Sequence, residues 1–181
     1  PHRRALFDIG IAGPLAGFVV ALPIMVIGIL RSTVEALPEG PVASGTLEFG
    51  DSALSWILVQ WIYPDLPANA GLVADPVFIA GWLAMLATAM NLVPAGQFDG
   101  GHVVFALTRK HHRFISLVSG WSLLGFALGY IVVASYVSGT LEVSAWSLWA
   151  IVVLAFGRKH PPVVDDGIPL GSVRVLLAVA A

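Results

Sequence analysis

Long apolar stretches separated by short polar segments dominate the pattern of this chain. Three of them carry no ionisable side chain and reach the length of about 20 residues that a helix needs to cross a bilayer; they are residues 9–30, 76–94 and 114–137. A fourth, 143–156, is shorter and needs residues 139–142 or a thin local bilayer to cross. The apolar stretch 168–181 contains Arg174, so whether it is a further span stays open. The pattern predicts an all-α fold, a polytopic transmembrane helical bundle with about four spans.

The polar segment 31–75 lies between the first two spans and is rich in proline and glycine. Within it, residues 52–63 carry apolar side chains at positions i, i+3, i+4, i+7 and i+8, which form one face of a helix. These side chains are Leu54, Ile57, Leu58, Trp61 and Ile62. The spacing predicts a short amphipathic helix over 52–63. We expect it to lie along the membrane interface or to pack on the protein; a gate beside a site is the alternative.

Composition supports a membrane protein and excludes several other classes. Hydrophobic residues make up 57% of the chain and charged residues 11%, with a mean hydropathy of +0.88. A soluble domain has about a quarter of its residues charged, and a disordered chain has far less apolar surface. The 9 Lys and Arg against 11 Asp and Glu leave no basic field for nucleic acid. With no cysteine, disulfides and thiolate zinc sites are excluded.

The positive charges predict the orientation in the membrane. They cluster in three polar segments as Arg3 and Arg4, then Arg109, Lys110 and Arg113, then Arg158 and Lys159. If every span crosses, these segments share one side, opposite segment 31–75, where Arg31 stands among acidic residues. By the bias of positive residues in short loops, the basic side is cytoplasmic, or stromal in a plastid, and 31–75 is a non-cytoplasmic loop.

Chemically unusual residues collect in the segment 91–102. It contains Asn91, Gln97, Asp99 and His102 around a proline and three glycines, at the cytoplasmic end of the second span. Broken backbone at membrane depth is tolerated only where protein or a water-filled cavity covers it. An ionisable residue in such a place is a functional candidate, so Asp99 is the first candidate of this chain.

A purely structural role for Asp99 is equally compatible with the spacing. Its oxygen would then cap a helix over 100–108 by accepting a backbone N–H. Arg109 and Lys110 would complement the dipole at the other end of that helix. Spacing alone leaves the two interpretations open.

Two motifs resemble a known family. The segment 91–102, with the pattern Asn-x-x-Pro-x-x-Gln-x-Asp-Gly-Gly-His, resembles the second signature of the site-2 proteases, which are intramembrane zinc metalloproteases. Residues 4–17, which include Gly-Pro-Leu-Ala-Gly, resemble another span of that family. Residues 157–162 are similar to the tail of its cyanobacterial and plastid-type branch.

The resemblance implies a function and a role for each candidate residue. Asp99 would be the third ligand of a Zn²⁺ ion otherwise held by two histidines of a His-Glu-x-x-His helix. Asn91 would stabilise the substrate carbonyl or the oxyanion, and Gln97 and His102 would orient the loop around the ligand. The partners would be the lipid bilayer and a transmembrane protein substrate, cleaved on the cytoplasmic side. The oligomeric state stays open.

One part of the family pattern is missing. No two of the 5 histidines stand four residues apart, so there is no His-Glu-x-x-His sequence. We therefore expect residues 1–181 to be a single membrane-embedded domain, the C-terminal part of a longer protease core and inactive alone. A transporter or channel segment, whose sites also use broken helices beside a carboxylate, and a catalytically inactive membrane homologue are the alternatives.

The remaining polar and small residues suggest structural roles. Gly13 and Gly17 form a small-residue ridge that suits helix packing. His111 and His112 fall in a basic loop, where we expect both to be solvated. Asp8 precedes the first span and would cap it or pair with Arg4.

Overall fold

The computed structural model describes residues 2–36, 52–139, 145–156, 170, 171 and 174. In chain order the elements are α1 Arg3–Arg31, β1 Thr33–Ala36, α2 Ala53–Ile62, β2 Ala70–Val73, α3 Pro76–Asn91, α4 Asp99–Leu107, α5 Arg109–Ser138 and α6 Ala145–Phe156. The chain divides into two compact units, which we describe separately. The first consists of Pro1–Leu15 and Ala89–Ala181, and the second of Ala16–Thr88.

Most of the described chain is helical, and two of its helices are long and apolar enough to cross a membrane. They are α1 and α5, judged by length and composition alone. The helices α2, α3 and α6 are apolar but shorter. Large apolar side chains of α5 are exposed, including Phe114, Trp121, Val132 and Tyr136, as expected of a surface in contact with lipid. The tail motif 157–162 and most of 168–181 lie outside the described residues.

A two-stranded sheet in the second unit departs from the all-α expectation. The strands β1 and β2 pair antiparallel, from Thr33 opposite Val73 to Ala36 opposite Ala70. Each strand has only four residues and the two are far apart in sequence, so the short turn that marks a hairpin does not join them. The fold is therefore helical with one small sheet inside the segment 31–75.

The helix α2 lies within the segment whose spacing indicated one. Ser52 is its N-cap, and the Ser52 Oγ accepts a hydrogen bond from the Ser55 N–H at 3.1 Å. Leu58 is buried in a cluster with Met25 and Ile29 near the C-terminal end of α1. Trp61, by contrast, is 75% exposed. The apolar stripe read from the sequence is thus split between a packed side and an exposed side.

The end of α1 is tied to the start of α3 by polar contacts in the second unit. Arg31 forms an ion pair with Asp75, with 3.3 Å between Nε and Oδ1. The same Oδ1 accepts a hydrogen bond from the Val77 N–H at 2.8 Å, which caps α3. The Asp75 N–H donates to the Ser32 Oγ at 3.0 Å. Asp75 therefore joins two helix termini.

In the first unit, the start of α1 packs on α4. Leu6, Phe7 and Ala106 form a buried cluster with Leu170. The Arg3 guanidinium donates to the carbonyl oxygens of Ala106 and Leu107. This cation therefore satisfies the last carbonyls of α4. The sequence suggested Arg109 and Lys110 for this end of the helix and gave no sign of Arg3 there.

The basic residue at the start of α5 has a different contact. The Arg109 guanidinium lies 5.6 Å from the centre of the Phe105 ring. Asp8 pairs with Arg174 through two contacts of 2.8 Å, a partner that the sequence did not suggest. A bidentate guanidinium–carboxylate pair satisfies both carboxylate oxygens.

The helices α5 and α6 pack closely. A Cβ built on Gly120 would lie 2.6 Å from the Leu154 Cδ2, so a larger residue here would displace the end of the Leu154 side chain. The Phe126 and Trp146 rings meet edge to face, with their centres 5.7 Å apart. The helix α5 ends at Gly139, whose φ of +70° is the left-handed conformation that favours glycine at a helix C-terminus.

Candidate metal centre

The candidate site is built on the irregular segment between α3 and α4, in the first unit. The helix α3 ends at Asn91, and α4 begins at Asp99. Between them, the Phe98 N–H donates to the Ala95 carbonyl at 3.2 Å. Gly96 has a φ of +53°, a conformation that glycine adopts without strain. We call residues 92–98 the connecting loop.

Asp99 is the first residue of α4 and does not cap it. Phe98 occupies the N-cap position, with φ −64° and ψ 160°, and no side chain makes a capping hydrogen bond there. The capping interpretation of Asp99 was therefore wrong. A carboxylate in the first turn is still stabilised by the helix dipole, but its oxygens accept no capping hydrogen bond from the backbone.

The Asp99 carboxylate lies against a glycine of α1. A Cβ built on Gly13 would be 2.9 Å from Oδ2 and 3.4 Å from Cγ. One turn earlier, a Cβ on Gly10 would be 2.8 Å from the Asp99 carbonyl oxygen and 3.2 Å from the His102 Cβ. The glycine face of α1 thus gives the start of α4 and its carboxylate the space they occupy. Gly13 has the packing role expected of it, and the side chain it packs against is that of the candidate residue Asp99.

Two further glycines bring the start of α4 onto the connecting loop. A Cβ on Gly100 would lie 2.1 Å from the Leu92 carbonyl oxygen. A Cβ on Gly101 would lie 2.5 Å from the carbonyl oxygens of both Ala95 and Gly96. Both distances are shorter than any van der Waals contact, so the Asp-Gly-Gly sequence is required by close approach of the backbone.

The surroundings of Asp99 disfavour an unpaired negative charge. The residue is half-buried, and burial raises the pKa of its carboxyl, while the charge of His102 acts in the opposite direction. Because a nearby cation offsets the loss of hydration, a half-buried carboxylate that caps no helix fits a metal ligand.

The other candidate residues lie along the same segment with different exposures. Asn91 is exposed at the C-terminal end of α3, and Gln97 is exposed in the connecting loop. His102 is half-buried one turn into α4, and its charge acts on the Asp99 carboxyl. Their assigned roles remain predictions.

Sequence reasoning missed two residues of α5. His112 and Ser116 are each 3% exposed, and both hydrogen-bond the backbone of Gly96. The expectation of a solvated side chain holds for His111, which is exposed, and was wrong for His112. The sequence did contain a signal for this burial, because His112, Ser116 and Gly120 are spaced at i, i+4 and i+8 and so lie on one helix face.

The described residues do not complete a metal site on their own. Among them there is no group of three or more His, Cys, Asp or Glu side chains that could hold an ion. A tetrahedral catalytic zinc site needs three protein ligands, so the described part of the chain fits one ligand position, that of Asp99.

Comparison with known proteins places the chain in a family. The sequence model of peptidase family M50 matches residues 1–132. The chain belongs to peptidase family M50. This match includes α1, the connecting loop and Asp99, and it favours the protease over the transporter alternative.

The M50 chain is similar to several plant proteins. It is 28% identical to "Probable zinc metalloprotease EGY1, chloroplastic" of Oryza sativa subsp. japonica over 96% of its length and 28% of the relative's. It is 26% identical to the protein of the same name from Arabidopsis thaliana, over 98% of the chain and 30% of the relative. Identity rises to 32% with "Probable zinc metalloprotease EGY2, chloroplastic" of Oryza sativa subsp. indica, over 75% of the chain and 24% of the relative.

The chain spans less than a third of the length of these relatives, between 24% and 30%. No solved structure matches it significantly.

Proposed function

We propose that this M50 chain is the C-terminal part of a site-2-type, zinc-dependent intramembrane endopeptidase in which Asp99 is a metal ligand. The observation that carries the proposal is the half-buried Asp99 carboxylate against Gly13, at the start of a helix it does not cap. The family match and the relatives named as zinc metalloproteases support the reaction class.

Asp99 would supply one of three protein ligands, and two histidines from elsewhere in the full-length protein would supply the others. A zinc ion so held provides Lewis acidity for the hydrolysis of a peptide bond. The chain's own contribution is the placement of one carboxylate oxygen donor. That placement depends on Gly13 beside the carboxylate and on Gly100 and Gly101 beneath the first turn of α4.

Three neighbouring residues would assist the ligand and the substrate. Asn91 ends α3 with an exposed side chain, which suits a donor to a substrate carbonyl or oxyanion. His102 lies one turn beyond Asp99 and would orient the ligand, as would Gln97 from the connecting loop.

The surroundings of the enzyme would be a plastid membrane. The relatives named above are chloroplastic, and α1 and α5 have the length and composition of membrane spans. About four spans, α1, α3, α5 and α6, would form the bundle. The substrate would be a transmembrane protein cleaved on the stromal side, the side on which the charge pattern predicts most of the basic residues.

Reconstitution tests the proposal. The full-length protein in liposomes, with a single-span substrate, should cleave that substrate, lose activity to a chelator and regain it with Zn²⁺. Asp99→Asn should abolish cleavage, while Asp8→Asn, the same change at an exposed ion pair, should preserve it because such pairs contribute little to stability. Undiminished cleavage by Asp99→Asn would overturn the proposal.

A further inference from the structure

Two buried side chains of α5 hydrogen-bond the backbone of Gly96 in the connecting loop, one at its N–H and the other at its carbonyl oxygen, so that the two peptide groups on either side of the Gly96 Cα are both held. The Gly96 N–H donates to the Ser116 Oγ at 3.2 Å. The Gly96 carbonyl accepts from the His112 Nε2 at 3.3 Å. A carbonyl oxygen only accepts, so this ring nitrogen carries the proton. His112 and Ser116 stand one helical turn apart on the same face of α5, so both side chains can reach the backbone of one residue.

The Gly96 carbonyl that His112 bonds also supports the start of α4. The Gly96 carbonyl oxygen would be 2.5 Å from a Cβ on Gly101, so the first turn of α4 rests directly on it. Asp99 is two residues before Gly101 in that turn. A shift of the Gly96 backbone would therefore move the backbone from which the Asp99 carboxylate projects.

His112 also contacts α4 itself. Its ring meets the Phe105 ring edge to face, with centres 5.3 Å apart and an angle of 78° between the planes. The imidazole thus lies between the connecting loop and the helix that begins with Asp99. A buried side chain held on two sides keeps a single orientation, which is the requirement for a group that positions others.

We propose that His112 and Ser116 are positioning residues that hold the Asp99 backbone in the geometry for metal binding, through the backbone of Gly96. The proposal rests on the proposed function, since it takes Asp99 as a ligand. Outer groups that orient metal ligands typically affect metal affinity on the order of 10–100-fold when they are changed.

The experiment compares substitutions of similar size in the full-length protein. His112→Gln keeps a side-chain N–H donor, whereas His112→Met has a similar length and no donor. Ser116→Ala removes the acceptor of the Gly96 N–H with little change in volume. His111→Ala, at the exposed neighbour, and Ser119→Ala, whose hydroxyl bonds only the Ile115 carbonyl within α5, are the matched controls.

Two measurements are made on each variant. Hydrogen exchange of the peptide covering 92–101, in metal-free protein, reports the loop without any contribution from catalysis. Competition with a chelator gives the zinc dissociation constant.

We expect faster exchange and a dissociation constant raised on the order of 10–100-fold in His112→Met and Ser116→Ala. His112→Gln and both controls should stay near the wild type. Equal effects of His112→Gln and His112→Met would show that the ring only fills space, and an unchanged Ser116→Ala would show that the Gly96 N–H needs no partner. Either result overturns the proposal.

The outcome is separable from that of the proposed function. If Asp99→Asn keeps full zinc affinity, the assignment of the ligand fails, whatever happens at His112. If Asp99→Asn loses zinc and His112→Met does not, the ligand stands and the positioning role fails.

Discussion

Gly13 of α1 and Asp99 of α4 are in direct contact, and the absence of a side chain on the one makes room for the carboxylate of the other. A Cβ on Gly13 would be 2.9 Å from the Asp99 Oδ2. Overlap of that size cannot be absorbed without moving the carboxylate or α1. The small-residue motif of the first span and the Asp-Gly motif are therefore parts of one site.

Gly13→Ala should weaken metal binding while the protein still folds. The added methyl group would displace the Asp99 carboxylate by a few tenths of an ångström or more, and loss of ligand geometry lowers affinity on the order of 10–100-fold. Titration with zinc against a chelator measures the effect. Gly129→Ala, where nothing lies within 4 Å of a built Cβ, is the matched control and should bind zinc as the wild type does. Equal affinities of the two variants would remove Gly13 from the site.

Asn91→Ala should lower turnover with the metal still bound. Loss of one donor to a developing oxyanion typically reduces kcat by about 10²–10³-fold, and Asn91 is not a ligand in the proposed set. The measurement is kcat and zinc content of the same preparation. Asn69→Ala, at an exposed position of segment 31–75, should change neither. Full turnover by Asn91→Ala would show that its amide does not act on the substrate.

The charge pattern predicts that Lys110 and Asp65 lie on opposite sides of the membrane. This chain has no cysteine, so Lys110→Cys and Asp65→Cys, both at exposed positions, introduce single reactive thiols here, in a full-length background without other cysteines. In sealed plastid vesicles, an impermeant maleimide added from the stromal side should label Lys110→Cys alone. Rupture of the vesicles should then expose the second site. Labelling of both before rupture would contradict the orientation.

The two sides of α2 should differ in their effect on stability. Leu58 is 8% exposed and packs with Met25 and Ile29, whereas Ile57 is 54% exposed. Leu58→Ala should therefore lower the free energy of unfolding by about 2–5 kcal/mol. Ile57→Ala should change it by no more than about 0.5 kcal/mol. Thermal unfolding in one detergent compares the two directly, and a larger loss for Ile57→Ala would reverse the assignment of the packed side.

The apolar pattern predicted where helices form, because an unbroken run of apolar residues needs a helix to satisfy its backbone in lipid. A helix covers most or all of each of the four predicted spans, as α1 does for 9–30 and α5 for 114–137. The same pattern gave no sign of the pair of β1 and β2. That pairing is non-local and four residues long, so its stability comes from tertiary context rather than from local propensity.

The sequence motif predicted Asp99 as a candidate residue, but only the structure shows what surrounds its carboxylate. Asp before Gly-Gly equally suggests a helix cap, and only the observed N-cap at Phe98 distinguishes the two roles. The burial of His112 was hidden by its basic neighbours, since a run such as Arg-Lys-His-His-Arg suggests a solvated segment. Which of two adjacent histidines faces the protein is set by the helix phase of α5, and that phase follows from packing.

The zinc content of purified full-length protein tests the central claim most directly. The account predicts about one zinc per chain in the wild type and in Asp8→Ala. Asp99→Ala should reach the membrane in normal amount and retain almost no zinc after dialysis. A full equivalent of zinc in Asp99→Ala would contradict the account, because the carboxylate beside Gly13 would then hold no metal.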